Sequence, residues 1–399
     1  MSGRRRPTSG PLGEYVEGFL VELVDLGYAQ RSREAQLRLL RLLSGFLQSR
    51  GLTGRDLTSG VLADFVAARR RTGTKMRSPR ALLPLLRYLH RLGAVSLENT
   101  WTASTPAALE PFTRYLTTER RLASTTVAGY LSQLRSFVAE FPGPERWRSL
   151  TAGEVSAFVL QRKGRASARS VQARAKALRA LLRWLWLEGT IATPLADTIR
   201  PFASGRGTRP PRSLTIDEVT RLNAAVASGP DRLRNEAMVA LMLRLGLRAG
   251  EVAALRLDDI DWRSSVLLVW GKGAHVDPLP LPVDVGQALV AYLTEGRPTN
   301  STDRQVFLRS PAPHTSLSVA AVSNMVAAAL RRAGVSGPGA AHRLRHTAAC
   351  GVLAAGGGLV EAGQLLRHST RSATAIYAKA DLPALRVLAR PWPSRSEAR

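Results

Sequence analysis

The sequence predicts a mainly α-helical protein: two tandem helical units, then a larger helical domain that carries one small β-sheet. Three observations predict it. Apolar residues recur at three- and four-residue spacing through most of the 399 residues, with polar and Arg-rich positions between them. A segment of the N-terminal half occurs twice. One turn signal, Gly271-Lys272-Gly273, follows a short run rich in β-branched and aromatic residues.

The repeat orders the first elements. Leu37, Leu40, Leu43 and Leu47 match Leu131, Leu134, Phe137 and Phe141 at an offset of 94 residues. Leu57-Thr58-Ser59-Gly60-Val61-Leu62-Ala63-Asp64-Phe65-Val66 reappears as Leu150-Thr151-Ala152-Gly153-Glu154-Val155-Ser156-Ala157-Phe158-Val159 at an offset of 93. Leu85-Leu86-Arg87-Tyr88-Leu89 with Gly93 returns as Leu181-Leu182-Arg183-Trp184-Leu185 with Gly189 at 96. Near-equal offsets in three blocks indicate a duplicated domain, and two copies are too few for a solenoid. Residues 1–104 and 105–200 are therefore read as two small helical bundles. Residues 201–212, with Ser204-Gly205-Arg206-Gly207 and Pro210-Pro211, have no periodicity and read as an exposed linker. The C-terminal domain, 213–399, opens on Thr215-Ile216-Asp217-Glu218, which has capping-box spacing and starts a helix. A second helix is expected over 233–245, a hairpin from the runs 265–270 and 279–283, and further helices over 319–333, 342–355 and 360–366. Asp258, Asp259 and Asp261 precede the first run and read as capping and solubilising carboxylates, because no further ligand motif makes them a metal site.

Lys and Arg number 57 against 30 Asp and Glu, a formal net charge of +27 that calls for a densely anionic partner. A chain that is 45% hydrophobic and 22% charged is globular rather than a disordered basic tail. Five lysines leave 52 arginines, whose planar forks suit phosphodiesters. Nucleic acid, an anionic membrane surface and an acidic protein all fit the charge. Nucleic acid is favoured because no long basic amphipathic segment stands apart from the folded pattern. Arg120-Arg121 and Arg162-Lys163 in the helical copies are candidate phosphate contacts. No apolar run reaches the ~18 residues of a bilayer span, and Glu14, Glu17, Glu22 and Asp25 interrupt the region where a signal peptide would lie. The single cysteine, Cys350, excludes a disulfide framework and a paired-cysteine zinc site, so a cytoplasmic protein is expected.

The C-terminal domain concentrates phosphate-directed groups: Arg248 between glycines, Lys272 on the hairpin turn, His342-Arg343-Leu344-Arg345-His346, His368 and Tyr377. If they converge, two arginines hold the nonbridging oxygens of a phosphodiester, a lysine or histidine protonates the leaving oxygen, and a tyrosine is the nucleophile. His342 and Arg345, at i and i+3 of an expected helix, share a face. His346 reads as a structural residue that lines the pocket.

In order and spacing these motifs resemble the tyrosine recombinase, or phage integrase, family. Leu245-Gly246-Leu247-Arg248-Ala249-Gly250-Glu251-Val252 is similar to its first arginine box and Trp270-Gly271-Lys272-Gly273 to its hairpin lysine. Ala341-His342-Arg343-Leu344-Arg345-His346-Thr347 is similar to its His-x-x-Arg box. Leu365-Leu366-Arg367-His368-Ser369 through Ala375-Ile376-Tyr377 is similar to its last histidine and tyrosine box. The helical copies resemble its SAM-like core-binding domain. The chain departs from the family pattern at Arg367, where glycine is common, at Cys350, where threonine is common, and after Gly273, where a further basic residue is usual.

The resemblance implies a DNA strand-exchange enzyme acting through a 3′-phosphotyrosyl intermediate on Tyr377. Arg248 and Arg345 would stabilise the phosphorane, Lys272 would protonate the departing 5′-oxygen, and His342 and His368 would assist. It implies no metal and no other cofactor. The partners would be double-stranded DNA and three further copies in a tetramer, or related recombinases, with 382–392 docking on a neighbour, and the protein would be nucleoid-associated. A type IB topoisomerase that relaxes supercoils and an inactive DNA-binding regulator that kept the fold remain alternatives.

Overall fold

The computed structural model describes residues 10–71, 79–95, 105–161, 168–199, 212–271, 275–299, 301–368 and 370–379. Residues 201–211 of the expected linker 201–212, the segment 382–392, Arg162, Lys163 and Lys272 lie outside the described residues. Contacts divide the chain into two compact units, one built on Leu43–Ser204 and the other on Gly205–Arg399 and Gly13–Leu42.

The first copy of the repeat contributes α1 (Val16–Asp25), α2 (Gln30–Ser49), α3 (Ser59–Arg71) and α4 (Leu83–Arg91). The second contributes α5 (Glu110–Arg114), α6 (Ser124–Glu140), α7 (Gly143–Arg148), α8 (Ala152–Gln161) and α9 (Ala168–Leu187). Repeated residues meet repeated environments. Leu62, Phe65 and Val66 on α3 are buried, as are Val155, Phe158 and Val159 on α8. The same holds for Leu85, Leu86, Tyr88 and Leu89 against Leu181, Leu182, Trp184 and Leu185. Thr58 and Thr151 cap α3 and α8 by accepting the N–H three residues on, Val61 and Glu154, each at 3.3 Å. Gly93 and Gly189 both take φ +69° just past α4 and α9, where a left-handed residue lets the chain close on the last carbonyls. In the second copy Phe137 meets Phe158 edge-on at 5.3 Å, and Phe112 packs on Trp184 at 5.5 Å.

The C-terminal domain starts as its capping box predicts: Glu218 N donates to Thr215 Oγ1 at 3.1 Å and Thr215 N donates to Glu218 Oε2 at 3.0 Å, opening α10 (Ile216–Ala227). Next, α11 (Arg232–Arg244) buries Ala237, Met238, Val239, Leu241 and Met242 and so forms the centre of the core. After α12 (Ala249–Ala254), β1 (Ile260–Asp261), β2 (Val266–Trp270) and β3 (Val276–Pro280) form an antiparallel sheet in that order, with Val266 opposite Pro280 and Trp270 opposite Val276. Then come α13 (Val283–Ala291), α14 (Val319–Arg332), α15 (Ala340–Ala354), α16 (Leu359–Leu365) and α17 (Arg371–Thr374).

One expectation needs correction. The second hairpin strand, expected over 279–283, runs Val276–Pro280 instead, and Val283 already begins α13. Pro278 and Pro280 are tolerated because β3 pairs with β2 alone and its outer side owes no ladder donors. The two-residue β1 has too little sequence to show a pattern. The aspartates are engaged locally. Asp259 accepts Arg256 N and Trp270 Nε1, each at 2.8 Å, Asp261 accepts Arg263 N at 3.0 Å, and Asp258 accepts Arg304 Nε at 2.9 Å. Among the described residues no helix is long and apolar enough to cross a membrane.

Candidate active site

Helix α15 carries the central groups. His342, Arg345 and His346 stand at i, i+3 and i+4, so they share one face. Arg343 falls off that face, donating to Ser336 O at 2.9 Å beside Glu218. Arg345 is 1% exposed, and its fork donates to two carbonyls, Nη1 to Gly246 O and Nη2 to Leu366 O. Gly246 sits at φ +60°, a conformation that favours glycine, and a Cβ there would lie 2.7 Å from Leu366 Cδ2, so any larger residue would strain the backbone and displace that leucine. Two of the five guanidinium donors are thereby used, and three remain for a ligand. Burial, then the nearby Arg248, lower the Arg345 pKa to about 10, which leaves it charged at neutral pH.

Arg248 opens α12, and Glu251 three residues on accepts from it twice: Oε2 from the backbone N–H at 2.8 Å and Oε1 from Nη1 at 2.6 Å. The Glu251 side chain is 7% exposed and also receives Arg367 Nη2 at 2.6 Å. Burial alone would push this carboxyl up; the Arg248 N–H and the charges of Arg367 and Arg248 outweigh it and hold the group below its usual range. Arg248, His342 and Arg345 line one concavity of about 510 Å³. A larger groove of about 1290 Å³ beside α10, α11 and α15 is walled chiefly by apolar residues and lies away from these groups.

Tyr377, 1% exposed, follows α17. Its hydroxyl lies 2.8 Å from His346 Nδ1, and its ring stacks on His368 at 6.3 Å. His342 meets His346 edge-on at 4.4 Å, and His368 Nδ1 lies 2.8 Å from Thr374 Oγ1. Burial pushes Tyr377 up to about 12, against the pull of Arg345 and Arg248. Burial, then His342 and Arg345, push His346 down to about 4, and burial, then Arg345 and Arg248, do the same to His368. In the free protein both imidazoles are neutral at pH 7, beside arginines whose charge an anion would balance.

Of the six residues singled out from sequence, the fold gathers Arg248, His342, Arg345, His368 and Tyr377; Lys272 lies outside the described residues. The hairpin that carries it closes through Gly271 N donating to His275 O at 2.7 Å. His346, read from sequence as a structural residue lining the pocket, touches the Tyr377 hydroxyl, and its i+4 spacing from His342 is the signal that marks it. Glu251, three residues after Arg248, carries a comparable signal.

A family model described as Phage integrase family matches residues 212–382, and one described as Phage integrase, N-terminal SAM-like domain matches 109–189. The chain is 34% identical to a putative integrase/recombinase, y4rA, of Sinorhizobium fredii, across 98% of this chain and 97% of that one. It is 30% identical to the tyrosine recombinase XerC of Yersinia pestis, across 70% of this chain and 92% of the relative. Among solved structures, a lambda integrase dimer bound to a COC′ core site shares the fold at a TM-score of 0.54 and 22% identity, covering 73% of this chain and 99% of that one. The chain therefore belongs to the phage integrase family of tyrosine recombinases.

Proposed function

We propose that the protein is a site-specific DNA recombinase that cuts and rejoins double-stranded DNA through a 3′-phosphotyrosyl intermediate. The observation that carries this reading is the seat of the Tyr377 hydroxyl, 2.8 Å from His346 Nδ1 and in the field of Arg345 and Arg248. Arg248 and the three unspent donors of Arg345 take the nonbridging oxygens, supplying preorganised positive charge where the phosphorane gains negative charge. Tyr377 Oη attacks phosphorus, its proton passes into the histidine cluster of His342, His346 and His368, and the bond to the 5′-oxygen breaks. Lys272 protonates that oxygen as it leaves. In rejoining, the 5′-hydroxyl attacks the phosphotyrosine and the tyrosine regains its proton, so no external energy source is consumed. The arginines provide the charge stabilisation, and no metal is needed.

The +27 charge supports binding along a phosphate backbone, with Arg120, Arg121, Arg162 and Lys163 of the helical copies among the contacts. Residues 1–104 and 105–200 act as two DNA-clamping domains ahead of the catalytic domain 213–399. The enzyme works as a homotetramer on two DNA sites in the cytoplasm, at the nucleoid; one solved relative is described as a lambda integrase tetramer bound to a Holliday junction. The test is a nicked substrate that loses its short 5′-hydroxyl fragment on cleavage. Wild type in EDTA accumulates a covalent adduct and Tyr377→Phe binds the DNA without forming one. An adduct in Tyr377→Phe, or a magnesium requirement, overturns the reading.

A further inference from the structure

Arg367 takes φ +50°, a left-handed conformation that glycine adopts without steric penalty and a side chain does not. Its guanidinium is nonetheless buried, with the side chain 6% exposed, and it touches three separate segments. Nη2 pairs with Glu251 Oε2 at 2.6 Å, and Nη1 donates to Leu365 O at 3.1 Å and reaches Leu245 O at 3.5 Å. Nε faces Asp277 Oδ2 on β3 at 3.9 Å, and the other oxygen of Asp277 lies 3.1 Å from His275 Nε2. The strained backbone therefore persists where a buried charge is met by two carboxylates and two carbonyls. Glu251 is the same carboxylate that holds both the backbone N–H and the side chain of Arg248.

We propose that Arg367 is a positioning residue: by clamping Glu251 it fixes Arg248 for the phosphate. The proposal rests on the reaction assigned above. Without Arg367, Glu251 keeps a single cationic partner and can rotate with Arg248, so the Arg248 guanidinium loses its fixed aim. A misplacement of about 1 Å at a group that positions the reacting phosphate costs up to about a hundredfold in rate, so a loss of about ten- to hundredfold is expected.

Two readouts on the full chain test it. In single-turnover adduct formation at saturating nicked DNA, Arg367→Gly, which relieves the backbone, slows the reaction by that factor with DNA affinity unchanged. Arg367→Lys restores part of the rate. In the Arg248→Ala background, adding Arg367→Gly slows the reaction by less than about twofold, because the group it positions is already gone. In the free protein, carbon-13 NMR of labelled glutamate places Glu251 below the usual carboxylate range in wild type and about one unit higher in Arg367→Gly, as loss of an adjacent charge requires. The proposal is overturned if Arg367→Gly reacts within twofold of wild type, if its effect multiplies in full with Arg248→Ala, or if Glu251 titrates unchanged. The NMR readout is independent of cleavage, so failure of the reaction assignment and failure of the clamp are separately visible.

Discussion

Replacing Arg345 by alanine removes two things at once, and the structure gives a magnitude for each. The buried fork satisfies the carbonyls of Gly246 and Leu366, which belong to different segments of the site. Each carbonyl left unpaired costs about 1–3 kcal/mol, and water entering the space left by the side chain favours the lower end, so the loss is about 2 kcal/mol. For a domain of this size that is a fall in Tm of about 4–8 °C. The same substitution removes a preorganised donor to the phosphorane, which lowers the rate by about 10²–10³. Calorimetry of the free protein measures the first effect; single-turnover adduct formation well below the Tm measures the second. Arg345→Lys retains charge but cannot span both carbonyls, and it falls between wild type and Arg345→Ala in each assay. A Tm within about 1 °C of wild type together with a rate within about threefold would refute a fork that is both strut and phosphate cradle.

Three further outcomes are expected. His346→Ala removes the partner of a buried hydroxyl, so adduct formation slows and Tm falls, with DNA affinity unchanged; wild-type kinetics would return His346 to a structural role. His346 and His368 titrate near 4 when folded but near 6.5 when unfolded, so between those values the unfolded chain binds more protons. Stability from these two residues is complete above pH 6.5 and is lost as pH falls toward 4; Tm measured at pH 7 and pH 5 should converge in the His346→Gln/His368→Gln variant, and an unchanged difference would contradict the assignment. DNA affinity should fall steeply with salt, with a log–log slope of about −0.9 per phosphate neutralised, and a nearly flat response would exclude a phosphate-tracking clamp.

The architecture was legible wherever local chemistry repeats or punctuates. The offsets that align Phe65 with Phe158 and Gly93 with Gly189 were readable because burial and left-handed turns demand the same residue types in both copies. Thr215 and Glu218 announced α10 because a capping box is complete within four residues. Strand β3 was placed three residues late because Val276-Asp277-Pro278 has no strand-like pattern of its own, and its pairing with β2 is decided by the sheet. The candidate site divides the same way. Arg248, Arg345 and Tyr377 stand in ordered motifs, whereas the partner of a buried charge is decided by tertiary approach. Nothing in spacing shows that Arg367 meets Glu251, more than a hundred residues away, or that Asp277 faces it.

The most direct measurement is to identify the residue that carries the DNA. Wild-type protein trapped on the nicked substrate in EDTA is digested with nuclease and trypsin, and the modified peptide is sequenced by mass spectrometry. A single nucleotide 3′-phosphate on Tyr377 is the predicted result, because that hydroxyl sits beside His346 in the field of Arg345 and Arg248. Attachment at any other residue, or through a 5′-phosphate, would contradict the assignment of the nucleophile and with it the chemistry drawn from the surrounding site.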